Sequence, residues 1–150
     1  MPAGVLPLII EQYDQFLYLL EFFNDQAMTD PFDLTGYTAQ MNLALDYGCA
    51  SFYGMATGDA NESLQISSPP TLGTMLLYIP ASQTAGFSQQ FTEAVYILQM
   101  KPASGDPWRA LQGPITYSKG ISPFTGTDSL MAAREPKVIK IPGFKDPRSK

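Results

Sequence analysis

Apolar and polar residues alternate from residue 37 to residue 46, with Ala44 the one small apolar residue on the polar side. Tyr37, Ala39, Met41, Leu43 and Leu45 share one face; Thr38, Gln40, Asn42, Ala44 and Asp46 share the other. A period of two with one apolar face is the pattern of a half-buried strand. The turn-forming residues Pro31, Asp33 and Gly36 precede it. The same criteria predict strands over 5–12, 16–23, 34–46, 50–56, 64–67, 74–79, 94–101 and 108–117, with Gly and Pro between them. A single helical turn suits 82–86. Residues 102–107 form a hairpin loop, and Pro114 in the returning strand implies an edge position or a bulge. Short strands at roughly ten-residue spacing, with no helical period, indicate an all-β fold. We expect an immunoglobulin-like antiparallel β-sandwich over 1–121, followed by an extended basic C-terminal arm over 122–150 with no core of its own. Within that arm Val138, Ile139, Lys140 and Ile141 have the pattern to add one strand to a partner's sheet edge.

Two of these strands are apolar on both faces. In 16–23, Phe16, Tyr18, Leu20 and Phe22 lie on one side, and Leu17, Leu19 and Phe23 lie with Glu21 on the other. In 94–101, Tyr96, Leu98 and Met100 oppose Val95 and Ile97. A two-layer sandwich has one interior, so a second apolar face needs a cover, either the chain's own tail or a neighbouring subunit. The candidate partner-binding residues are therefore Phe16, Tyr18, Leu20 and Phe22 on the body, and Val138, Ile139 and Ile141 on the arm.

Composition sharpens this. At 150 residues and 45% hydrophobic, the chain is long enough for one well-buried core without disulfides or metals. Its single cysteine, Cys49, has no partner in the chain, and a place packed in or near a strand suits it. The net charge of -5 argues against nucleic-acid binding. That charge is uneven: residues 1–118 sum to -9 and residues 119–150 to +4. A basic end on an acidic body suits docking on another acidic surface, including a second copy, or a solvated tail. No basic region precedes the first apolar residues and Pro7 interrupts them, so no signal peptide is expected. The most apolar run, 16–23, is too short to cross a bilayer.

Candidate chemistry is sparse. The chain has no His, which removes the commonest general acid–base and the usual triads and zinc sites. Cys49 therefore has no His to activate it. No nucleophile turn, phosphate-binding loop or dinucleotide fingerprint occurs. Asp25, Asp30 and Asp33 are either turn-formers or oxygen ligands for a calcium ion, though their spacing matches no calcium motif. Trp108, the sole Trp, is either a binding anchor or the cover of a sandwich core. The expectation is a non-enzymatic protein without cofactor or metal, acting on protein partners and on neither nucleic acid nor membrane.

Four sequence elements carry a resemblance. Asp33-Leu34-Thr35-Gly36-Tyr37 enters the alternating strand. Gly73 leads a strand ending in Ile79-Pro80-Ala81, followed by a polar turn with Thr84. A central strand contains Tyr96. The return strand carries Leu111-Gln112-Gly113-Pro114-Ile115. In this order the series, over roughly 12–122, resembles a β-sandwich domain of tailed bacteriophages similar to the N-terminal domain of baseplate upper proteins. The resemblance implies a virion structural protein, a tail, baseplate or fibre-attachment component assembled in the host cytoplasm. Its partners would be other virion subunits, in a homo-oligomer or ring. Residues 47–61 are more Gly-rich than in relatives, and a short basic arm replaces their long receptor-side region, which favours a joining role. A head-surface decoration protein is one alternative. A carbohydrate-binding module using Trp108, Tyr96 or Tyr117 is another.

Overall fold

Met41 and Leu43, two of the inward residues of the alternating strand, are fully buried, while Thr38 and Gln40 face out. Repeated along the chain, that alternation builds two layers in the computed structural model, which describes residues 4–59, 62–85, 87, 93–118 and 136–144. The strands are β1 (Gly4–Val5), β2 (Leu8–Glu11), β3 (Phe16–Phe22), β4 (Thr38–Ala44), β5 (Ser51–Ala56), β6 (Leu64–Ile66), β7 (Thr74–Ile79), β8 (Glu93–Lys101), β9 (Trp108–Ser118) and β10 (Lys137–Ile141); α1 (Ala81–Ala85) supplies the helical turn. One sheet runs β1-β9-β8-β4-β5, with β2 also on β9; the other runs β10-β3-β7-β6. The fold is an immunoglobulin-like β-sandwich. Its pairs are antiparallel except at two margins, where β1 and β2 lie parallel to β9 and β10 lies parallel to β3.

The interior takes one face of each long strand: Met75, Leu77 and Ile79 from β7, and Tyr96, Leu98 and Met100 from β8, each at 1% exposure or less. Burying each such side chain contributes about 1.5–3 kcal/mol before entropy is set against it.

The first edge differs from expectation. Residues 5–12 form two strands, because the chain breaks at Leu6 and Pro7. The Leu6 N–H donates to Gln112 O at 3.0 Å. The backbone groups of position 112, and hence the nitrogen of Pro114 two residues on, face this edge. Two prolines thus leave the ladder at the same place, and β9, which has neighbours on both sides, tolerates Pro114 without being an edge strand. At the break the Leu6 carbonyl lies over Gly113 and accepts a 2.6 Å hydrogen bond from the Tyr96 hydroxyl. A Cβ at position 113 would sit 2.4 Å from Leu6 O.

The extended arm is also corrected. Residues 137–141 form β10 on the edge of β3, with Lys137 opposite Tyr18 and Ile141 opposite Phe22. Phe144 follows into the core at 7% exposure, 4.5 Å from the Phe22 ring, 4.9 Å from Phe32 and 5.4 Å from Trp108. Aromatic burial and main-chain pairing outweigh the proline-rich composition from which an unattached arm is inferred. The remainder of that arm, 122–135 and 145–150, lies outside the described residues.

Candidate interaction surface

Strand β3 decides which surface is free. Phe16, Tyr18, Leu20 and Phe22, expected to meet a partner, are 6% exposed or less and form the sandwich interior. Both faces of the strand are apolar in sequence; the larger aromatic face turned inward because it buries more area. The outward face carries Leu17, Leu19 and Glu21, all half-buried. In register, Leu19 lies between Val138 of β10 and Leu76 of β7, and Leu17 lies beside Tyr78. Three strands thus place Leu17, Leu19, Leu76, Tyr78 and Val138 on one outer face. Glu21, flanked by Lys140 and Thr74, begins its polar rim. The Glu21 Oε2 atom is buried and has no hydrogen-bond partner among the described residues. A buried carboxylate oxygen in that state calls for a donor.

The three arm residues have separate roles. Val138 is 53% exposed and extends the apolar face. Ile139 and Ile141 pack against the core. The backbone locks this end: Phe23 N–H donates to Ile141 O at 2.9 Å, and Phe144 N–H donates to Phe23 O at 2.8 Å. Lys137 Nζ lies 5.7 Å from the Tyr18 ring centroid. The Tyr18 hydroxyl accepts from Ile9 N–H at 3.2 Å, tying this sheet to β2 of the other. Ile9, Leu17 and Lys137 share a small hollow at that junction. Pairing at the β3 edge adds width to the apolar face and leaves its centre uncovered among the described residues.

The opposite sheet presents Val95 and Ile97 outward, within a hollow of about 120 Å³ that Tyr47 and Cys49 also line. Cys49 is exposed in the turn closed by its N–H to Asp46 O, 3.2 Å, rather than packed against a strand. The aromatic residues considered for sugar stacking point elsewhere. Tyr96 and Tyr117 are 1% and 2% exposed. Trp108 is half-buried and packs on Phe144, covering the core. The acidic loop residues are engaged in turns: Asp25 accepts from Thr29 and from the Asp30 N–H, and Asp33 from Thr35. Those bonds, led by the threonine hydroxyls, hold both carboxyls below their ordinary range.

Burial pushes the Tyr96, Tyr117 and Tyr53 hydroxyls above their ordinary value of 10.0. The unfolded chain therefore loses these protons first, so stability holds below the ordinary value and falls as pH rises toward the folded ones. The urea midpoint should be flat up to about pH 9.5 and decline above about pH 10, with a shallower decline in Tyr96→Phe. A midpoint still level at about pH 11.5 would contradict this.

Comparison with known protein families and with curated proteins finds no match. Among solved structures, extracellular domains 3–5 of Drosophila OTK match with a TM-score of 0.31 and 16% identity, over 79% of this chain and 33% of that one. This chain therefore spans about a third of the OTK structure. Among the described residues, no helix is long and apolar enough to cross a membrane.

Proposed function

We propose that this chain is a non-catalytic structural subunit of a tailed-bacteriophage particle, joining tail, baseplate or fibre-attachment components by protein–protein contact. The observation that supports the reading best is the outer face of the four-stranded sheet. Five apolar side chains from β3, β7 and β10 lie together there, beside a buried carboxylate oxygen that lacks a donor. An apolar face with a polar rim is the anatomy of a subunit contact. The particle itself is inferred from the motif series, and the occupant of the face is a neighbouring virion subunit. No cofactor takes part.

The test places charge on that face. The double variant Leu19→Glu, Leu76→Glu should keep a cooperative unfolding transition, because both side chains point outward. It should be lost from purified particles when supplied in place of the natural chain. Gln40→Glu, on the outer face of the other sheet, should incorporate normally. Normal incorporation of the double variant would overturn the proposed face. Imaging of labelled particles separates tail placement from a head-surface decoration role.

A further inference from the structure

The attachment of β10 has an unusual connectivity. β10 runs parallel to β3, and among the described residues its attachment to the body comes from the short stretch 137–144. Those contacts are modular. They comprise a five-residue register on β3, Ile139 and Ile141 against the core, Phe144 among Phe22, Phe32 and Trp108, and main-chain bonds to Phe23 and Asp25. Any copy of the body offers the same receiving edge.

The connection is longer than this attachment requires. Ser118 ends β9 opposite Glu11 at the end of β2. Lys137 begins β10 opposite Tyr18, near the start of β3. Since β2 leads directly into β3, both ends of the intervening stretch lie at one end of the sandwich. The gap is one sheet spacing plus one or two strand spacings, on the order of 20 Å. The connecting residues, 119–135 in sequence, have a maximum extended length of roughly 55 Å. The charges agree with donation to another copy: residues 119–150 carry +4 and residues 1–118 carry -9, so the segment is attracted to any copy's acidic body.

We infer that β10 is an exchangeable strand: in assemblies of this chain, residues 137–144 of one copy seat on the β3 edge of a second copy, in the same parallel register. The inference rests on the assembly reading and supplies its linkage. Exchange trades identical contacts, so it costs little in contact energy. In dilute solution the chain's own β10 wins, because tethering holds it at an effective concentration of about millimolar. When copies are crowded at comparable concentration, the exchanged form competes, and each exchanged strand couples two sandwiches.

Leu19 and Val138 are register partners, so cysteines there lie within disulfide reach. In a Cys49→Ser background, full-length Leu19→Cys and Val138→Cys chains carrying tags of different size are mixed, oxidised and separated without reductant. At about millimolar concentration a mixed disulfide pair should form, and it should fade on dilution to the micromolar range. The double variant in one chain should instead close on itself when dilute. Closure of the double variant with no mixed pair at any concentration would overturn exchange. The pair Glu21→Cys and Lys140→Cys, also in register, repeats the test if the first pair fails to fold. Because the test uses purified chain, its failure leaves the particle reading standing. A chain that exchanges but is missing from particles overturns the particle reading alone.

Discussion

Gly113→Ala should lower stability by about 3 kcal/mol, a fall of roughly 10 °C in the thermal midpoint. The added methyl would stand 2.4 Å from Leu6 O, 2.9 Å from Leu6 C and 3.1 Å from Leu6 N. These are backbone atoms, not the end of a flexible side chain, so relief requires moving the β1–β2 crossing off the sheet. That in turn breaks the bond from the Tyr96 hydroxyl, and a buried hydroxyl without a partner costs a further 1–3 kcal/mol or so. Gly54→Ala is the control. It lies in the same sheet, its added carbon would meet only Asn42 Oδ1 at an ordinary 3.4 Å, and its effect should stay within about 0.5 kcal/mol. Equal midpoints for the two variants, measured by calorimetry, would show that the Leu6 crossing is not fixed over position 113.

Phe144→Ala should cost about 3 kcal/mol or more. Its ring packs against the rings of Phe22, Phe32 and Trp108, so its loss leaves a cavity among them. Phe144→Leu should recover most of the loss. The larger lesion is removal of residues 122–150. Treated as an unattached arm, that segment is dispensable for folding and needed only for incorporation into particles. Treated as β10 and Phe144, its removal opens the core beside Trp108 and strips the edge of β3, leaving unpaired backbone groups that recruit other chains. The truncated chain should therefore show a lowered denaturant midpoint and concentration-dependent aggregation. A truncated chain as stable and monomeric as the full one would show that β10 contributes nothing to the body.

The sandwich was legible because its signals are local. Alternation from Ala39 to Leu43 marks β4. Gly36, with φ of +78° and Ala103 Cβ 3.1 Å from where its own Cβ would be, is the turn residue the pattern called for. The residues that carry the phage resemblance have structural tasks. Asp33 bonds Thr35, Thr84 donates to Asp14 O at 2.8 Å, Tyr96 holds Leu6, and Gly113 makes room for it. They mark how the layers are joined, which is why they predict fold better than they locate a surface.

The candidate site was half legible. Sequence identified β3 as apolar on both sides but assigned its aromatic side to a partner, whereas that side turns inward; the choice depends on the neighbours a strand acquires only in the folded sheet. Leu76 and Tyr78 were missed as surface residues because 75–79 is apolar throughout and gives no alternation to read. Their place beside Leu19 and Leu17 depends on a long-range register. The destination of residues 137–141 was likewise beyond local pattern: an apolar segment with strand propensity looks the same whether the edge it joins is its own or another's.

The central claim, that the outer face of the four-stranded sheet is buried against other subunits, is tested most directly by oxidative footprinting of Leu19, Leu76 and Tyr78 in purified chain and in purified particles. The account predicts ready modification of all three in the free chain and strong protection in the particle, with Gln40 and its surroundings serving as the reference surface. Equal modification in both states would contradict it.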